Sequence, residues 1–230
     1  MRFLGKAAVV AGLLIGLIGC GTDHGGGPTN MRLRIVNLVD DSNLAQLYWM
    51  GAPVSPRSLE YREESGYQSR ESGRSQADLY EVDLGTLDSE TEWLTTDKEY
   101  TFFGVGSIGQ GDATLVKVDD DTRPAVDKAK VRVFHGSPAA PNVDIYITDP
   151  LVDLVDVQPN YKNVAFKEIT PYVPIAPGVF RIRMTLAGTK TVAIDTGTLE
   201  DLAGQVFTVC AIGDPSVGQP IRHLTLIDRR

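Results

Sequence analysis

The chain has 230 residues, 42% hydrophobic and 23% charged, with a mean hydropathy of −0.09, which is enough apolar material for packed cores and too much for a disordered polymer. A net charge of −8 and a pI near 4.9 argue against nucleic acid as a partner, since binding it needs a basic stripe that displaces counterions.

From the N-terminus, Arg2 and Lys6 flank or precede residues 7–18, twelve apolar or Gly residues without a charge. Spanning a bilayer takes about 20 apolar residues, so this run has the length of a signal-peptide core. It ends in Leu17-Ile18-Gly19-Cys20, which resembles the bacterial lipobox. That resemblance implies a lipoprotein signal peptide over 1–19, lipid transfer to the Cys20 thiol, cleavage before it, and acylation of the new N-terminus, palmitate being the expected chain. Several acyl chains on one residue anchor stably where one binds marginally. Cleavage leaves 211 residues and, with Arg2 and Lys6 gone, a net charge of −10. Gly21 stands where an Asp would resemble an inner-membrane retention signal, so the outer membrane is favoured.

Residues 20–30 form the lipidated Cys and a Gly-rich tether with a reach of roughly 15 to 20 Å, and His24 within it reads as inert. Cys210 is the other cysteine. With Cys20 lipidated it has no intramolecular partner, and its apolar setting, Val206-Phe207-Thr208-Val209-Cys210-Ala211-Ile212, reads as a buried structural thiol.

The body repeats itself. Leu33-Arg34-Ile35-Val36-Asn37 reads like Val131-Arg132-Val133-Phe134-His135, and Leu47-Tyr48-Trp49 like Ile145-Tyr146-Ile147, both at an offset of 98. Leu59-Glu60-Tyr61 parallels Val164-Ala165-Phe166 at 105, Tyr100-Thr101-Phe102 parallels Phe207-Thr208-Val209 at 107, and LVKVD (115–119) parallels LTLID (224–228) at 109. Matches in this order indicate a duplication.

Each copy consists of short runs alternating apolar with polar residues and bounded by Gly, Pro, Asn and Asp, the period of strands. Around Leu33–Asn37 and Val131–His135 this predicts one buried and one wet face. In Phe180-Arg181-Ile182-Arg183-Met184-Thr185-Leu186 the apolar set faces one way and Arg181, Arg183 and Thr185 the other. The 59–72 window carries charge but no helical spacing. The fold class expected is all-β: two tandem immunoglobulin-like antiparallel β-sandwiches of six or seven strands, the first at 31–119 and the second at 131–230, joined by a polar linker at 120–130 that permits hinge motion.

The second copy, with His135-Gly136-Ser137-Pro138-Ala139-Ala140-Pro141 followed by Val143-Asp144-Ile145-Tyr146 and later Pro177-Gly178, resembles the bacterial and archaeal surface-domain family known as domain of unknown function 4397. The first copy departs from the pattern: Asn37-Leu38-Val39-Asp40-Asp41-Ser42 replaces the turn and residues 65–76 read as a polar insertion, so it reads as a diverged copy. The resemblance implies an exported, lipid-anchored or repeated protein and no established reaction.

Several constellations carry possible chemistry. His135, Ser137 and Asp144 are the residue types of a nucleophilic triad, but Ser137 precedes Pro138 in a turn with no oxyanion-forming elbow; the expectation is that Pro138 and Pro141 stiffen the turn while the His135 ring bonds the backbone. Gly104-Val105-Gly106-Ser107-Ile108-Gly109 spells a phosphate loop, yet Gln110-Gly111-Asp112 leads into a strand where the motif needs a helix. Asp119-Asp120-Asp121 beside Asp127, and Asp149, Asp153 and Asp156, supply oxygens of the kind Ca²⁺ takes, without an Asp-x-Asp-x-Asp-Gly loop. The 57–74 segment, with Arg57, Tyr61, Arg62, Tyr67, Arg70 and Arg74, is the candidate partner-binding loop, since loops carry recognition on such scaffolds. Trp49 reads as core and Trp93 as a possible glycan contact.

These readings predict no catalytic residue, metal or cofactor. They predict a non-enzymatic, lipid-anchored protein of the cell envelope that serves adhesion or envelope assembly through a protein partner. A glycan- or peptidoglycan-binding accessory module is the alternative, and a hydrolase using His135 comes third.

Overall fold

The computed structural model describes residues 30–201 and 203–229; the expected signal peptide at 1–19, Cys20 and the expected tether through residue 29 lie outside them. The first repeat contains β1 (Asn30–Val39), β2 (Ala45–Trp49), β3 (Ala52–Pro53), β4 (Gln68–Glu71), β5 (Gly73–Glu81), β6 (Gly85–Leu94), β7 (Glu99–Gly106) and β8 (Thr114–Asp120). The second contains β9 (Ala129–His135), β10 (Val143–Thr148), β11 (Tyr161–Val164), β12 (Val173–Ile175), β13 (Gly178–Leu186), β14 (Val192–Asp201), β15 (Val206–Ile212) and β16 (Arg222–Arg229), with a 3₁₀ turn at Pro215–Val217. Among the described residues no helix is long and apolar enough to cross a membrane.

The sheets repeat as the sequence does. Orders β4-β1-β7-β8 and β3-β2-β5-β6 in the first repeat recur as β12-β9-β15-β16 and β11-β10-β13-β14 in the second. Pairings are antiparallel except β1 with β7 and β9 with β15. Each repeat is thus a sandwich of two four-stranded sheets, eight strands where six or seven were expected. Leu33, Ile35, Leu47, Leu79 and Phe102 fill the first core, and Val131, Val133, Ile145, Ile182 and Val209 the second, as inward residues of facing sheets do.

The correspondence also corrects two sequence alignments. From Leu59 to Glu81 the first repeat tracks the second at a constant offset of 105: Arg62 and Lys167 both have φ of 72°, and their amides donate to the Asn37 and His135 carbonyls at 2.7 Å. Residues 65–76 therefore hold no insertion. In β8 and β16 the counterpart of Asp228 is Asp120, not Asp119, because each accepts from the same Thr and Tyr positions. A one-residue slip exchanges the faces of a strand, so the distinction decides which carboxylate is buried.

The predicted wet face is the main departure. Every residue of β9 and β15 is buried, and Arg34 and Arg132 are 1% and 2% exposed. The polar faces of the two repeats meet each other rather than water. Val36, Leu38 and Phe103 of the first repeat and Phe134, Cys210 and Ile212 of the second form a third apolar core. Within it the Phe103 and Phe134 rings stack at 4.1 Å. Residues 121–128 connect two packed bodies, so the expected hinge is closed by a core of its own.

Strand direction places the chain ends. Arg32 pairs with Glu99 and Glu99 with Asp120, while Lys130 pairs with Val206 and Val206 with Arg229. The start of the described chain, the connector and Arg229 therefore share one end, where a cleft of about 610 Å³ is lined by Asn30, Arg32, Asp121, Arg123 and Arg229. At the opposite end, Gln110 donates to Asp214 and Ser216, both at 3.1 Å, tying the loops of the two repeats.

Candidate functional site

The residues proposed for chemistry are each occupied by structure. His135 is fully buried. Its Nε2 lies 3.1 Å from the Pro141 carbonyl, an acceptor, so Nε2 carries the proton and the buried Nδ1 is left without a partner. Burial lowers the His135 pKa, which keeps the ring neutral. The Ser137 hydroxyl donates to the Gly213 carbonyl, and Asp144 accepts the amides of Asn163 and Gly188 at 2.8 and 2.9 Å. The three do not converge. The residues act as braces of the loop end, in keeping with a His ring bonded to backbone.

The Gly104–Gly109 letters form the end of β7 and a turn. Amides of Ile108 and Gly109 and the Ser107 hydroxyl all donate to the Asp41 carboxylate at 2.7–2.8 Å, and these bonds outweigh burial to hold its pKa down. An anion-binding nest is present, and a carboxylate of the same chain fills it. The acidic residues are dispersed likewise: Asp121 pairs with Arg123 and Lys130, Asp153 caps the Val155 amide at 3.0 Å, and among the described residues no group of three His, Cys, Asp or Glu is arranged to hold a metal.

The 57–74 segment does not form one loop surface. Arg57 pairs with Glu63 at 2.6 Å. Tyr61 donates to Asp40 at 2.6 Å and packs on the shared core, with Arg62 over its ring. Arg70 caps the Pro53 and Val54 carbonyls. Tyr67 belongs to the inter-repeat contact, and Arg74 lies on β5 opposite Trp93 of β6.

Two arrangements stand out. The first, missed at the level of sequence, is a closed ring of six side chains between the repeats. Arg34 Nε donates to Thr101 at 2.9 Å, and Thr101 to Asp120 at 2.6 Å. Asp120 pairs with Arg132, whose Nε donates to Thr208 at 2.9 Å. Thr208 donates to Asp228 at 2.6 Å, and Asp228 pairs with Arg34. The hydroxyls of Tyr67 and Tyr172 add a bond each, both 2.7 Å, to Asp120 and Asp228. Their rings cover Arg34 and Arg132 at 4.7 and 4.4 Å. Burial works to lower the Arg34 pKa, but Asp228, Tyr67 and Glu64 outweigh it and raise it; around Arg132, Asp120 and Tyr172 do the same. The signal was the same Arg, Thr, Tyr and Asp recurring in both copies on faces expected to be wet.

The second is the outward face of β2, β5 and β6. Trp49 is 2% exposed and donates its indole N–H to the Glu71 carbonyl at 2.9 Å, whereas Trp93 is 67% exposed. Along β5 and β6, Arg74 faces Trp93, Gln76 faces Thr91 and Asp78 faces Ser89. Asp78 accepts from Gln76 and Ser89 at 2.8 and 2.6 Å, and Tyr48 and Tyr80 meet edge to face at 5.4 Å. An exposed ring beside fixed donors and acceptors can stack on and hydrogen-bond an amphipathic ligand.

Comparison with known proteins adds the family. The model of domain of unknown function DUF4397 matches residues 31–146, the whole first repeat and the opening of the second. The chain belongs to this family. The match falls on the repeat that read as the diverged copy, in line with the constant offset through its middle strands. No curated protein matches the sequence. Among solved structures the DUF4397 chain is similar to the Bacillus anthracis TIE protein, at 10% identity and a TM-score of 0.25, covering 80% of this chain and 34% of that one. It therefore spans about a third of that protein's length. It is also similar to a family 26 carbohydrate-binding module of Eubacterium rectale Amy13K, solved with maltoheptaose, at 12% identity and a TM-score of 0.24, covering 86% and 96%.

Proposed function

We propose that this DUF4397 protein is a lipid-anchored, non-catalytic binding protein of the bacterial cell envelope, held in the outer membrane by acylated Cys20 and serving adhesion or envelope assembly through its paired sandwiches. The observation that carries the reading is the polarity of the molecule: β1, the connector and Arg229 share one end. A tether from Cys20 entering at Asn30 leaves the opposite loop end and the outer sheets free to meet a partner. The buried state of His135 and Ser137 supports binding over hydrolysis. The test is acyl labelling and membrane fractionation of cells expressing the wild type and Cys20→Ala. Loss of label and release of the variant into the soluble envelope fraction is expected; a variant that stays with the membrane in full removes the anchor from the reading.

A second reading, glycan binding, is favoured by Trp93, exposed beside Arg74 and Gln76. With Trp49 buried, a change in tryptophan emission on titration with soluble oligosaccharides or peptidoglycan fragments reports on Trp93. A blue shift abolished by Trp93→Ala supports this reading, and unchanged emission together with no retention on insoluble peptidoglycan ends it.

A further inference from the structure

The ring between the repeats has a property that neither repeat has alone. On each inner sheet, an Arg bonds a Thr of its own repeat and that Thr bonds an Asp of its own repeat; a second arm is taken by Glu64 of the same repeat at Arg34 and by the Asp119 carbonyl at Arg132, which leaves on each side one guanidinium arm and one carboxylate oxygen for the charges of the facing repeat. The arm of Arg34 goes to Asp228 and the free oxygen of Asp120 receives Arg132. Each face thus presents one donor and one acceptor, and the facing repeat presents the same two in return. This is the reciprocity of an isologous two-fold contact. The tyrosine covers obey it too, with Tyr67 over Arg34 and Tyr172 over Arg132.

We infer that the β4-β1-β7-β8 face is a self-complementary docking surface whose fitting partner is a repeat of a second copy of this chain, so that the repeats pair without the 121–128 connector and exchange between chains when the pair opens. The inference does not rest on the anchor or on glycan binding. A pair of two first repeats closes the same ring, Arg34 of one meeting Asp120 of the other. The apolar part sets a preference among the pairings. Phe103 stacks on Phe134, while the positions equivalent to them, Cys210 and Val36, carry small side chains in the same core. Unlike repeats therefore place two large rings together and two small groups together, and like repeats set each large ring against a small group. Both fill the volume, and the aromatic stack favours unlike pairing. The connector of eight residues between Asp120 and Ala129 has a reach of up to about 30 Å, which leaves room for a chain to hand one repeat to a neighbour.

The experiment uses the full chain with a specific protease site placed in 121–128. After cleavage, the halves are expected to co-elute as a one-to-one pair at micromolar concentration. When heavy-isotope and light cleaved samples are unfolded in urea, mixed and refolded, native mass spectrometry is expected to find heavy–light pairs, with pairs of like repeats as a minority. Halves that separate on cleavage overturn the inference, as does a refolded mixture of unlike pairs with no like pairs at any concentration. A second measurement does not need refolding. Asp228→Ala removes the carboxylate to which Arg34, Thr208 and Tyr172 all donate and leaves Arg34 only Glu64 of its own repeat, and the cleaved variant is expected to hold its halves about a hundredfold or more weaker than the cleaved wild type. Equal retention of the two overturns the role given to the ring.

Discussion

Asp40 contributes to the pH dependence of stability in a way that can be worked from its surroundings. It lies at the end of β1 and is 2% exposed. Oδ1 accepts from Tyr61 at 2.6 Å and Oδ2 is buried without a partner. Burial, reinforced by Asp214, Asp41 and Asp112 and opposed by the Tyr61 bond, pushes its pKa from 3.8 up to about 6. The positive charges of Arg222 and Arg62 favour ionisation of Tyr61, and burial with the Asp40 bond outweighs them. Below about pH 4 the carboxyl is protonated in folded and unfolded chains alike. Between about pH 4 and 6 the unfolded chain ionises while the folded one keeps its proton, so stability falls as pH rises, and above that window the loss is complete. The gap is worth at most about 3 kcal/mol, and solvent near the loop end reduces it to about 1–3 kcal/mol. Asp40→Asn keeps an acceptor for Tyr61 and removes the charge. Denaturant unfolding from about pH 3.5 to 8 is expected to find the variant equal to the wild type in acid and more stable by about 1–3 kcal/mol at neutral pH. A difference that does not change with pH, or a variant less stable at neutral pH, refutes this account of the site.

Gly213 has φ of 104° and a Cβ there would sit 2.2 Å from the Pro220 carbonyl oxygen, so Gly213→Ala is expected to cost about 3 kcal/mol or more in thermal or denaturant unfolding. Gly188, with φ of 74° and open space around it, is expected to lose only about 1 kcal/mol on the same change; equal costs at the two sites contradict the steric argument. Cys210 is fully buried and its burial raises the thiol pKa, so in a Cys20→Ser chain a thiol reagent should label it only as fast as the protein unfolds, and denaturant-independent labelling defeats that reading. Trp93→Ala is expected to leave stability within about 0.5 kcal/mol, whereas Trp49→Ala should lose about 3–5 kcal/mol, measured by the same unfolding curves.

What the sequence disclosed and what it hid follow from one physical fact. Alternation reports which residues avoid water locally, and it reports nothing of a second surface that arrives from elsewhere in the chain. Leu33 and Ile35 alternate with Arg32 and Arg34, and the sandwich core was legible from that alone, as were the turns at glycines and the buried Trp49 and Cys210. Arg34 and Arg132 read as solvated for the same reason, since a buried Arg is rare unless paired and the partners Asp228 and Asp120 lie in the other repeat. The 57–74 segment shows the same limit: its charges read as a recognition surface, and alternation gave no sign that Tyr67 bonds Asp120 beside the ring or that Arg70 caps the Pro53 and Val54 carbonyls. The acidic run at 119–121 shows how fine the distinction is, because Asp120 points into the ring while Asp119 meets Lys117 at the surface. The duplication held the missing information. When two copies keep Arg, Thr, Tyr and Asp at matching places on strands that are regular in both, a two-fold contact between those faces lets each copy satisfy the other's buried charges. Solvation alone requires no such matching, because water accepts almost any polar residue at each site.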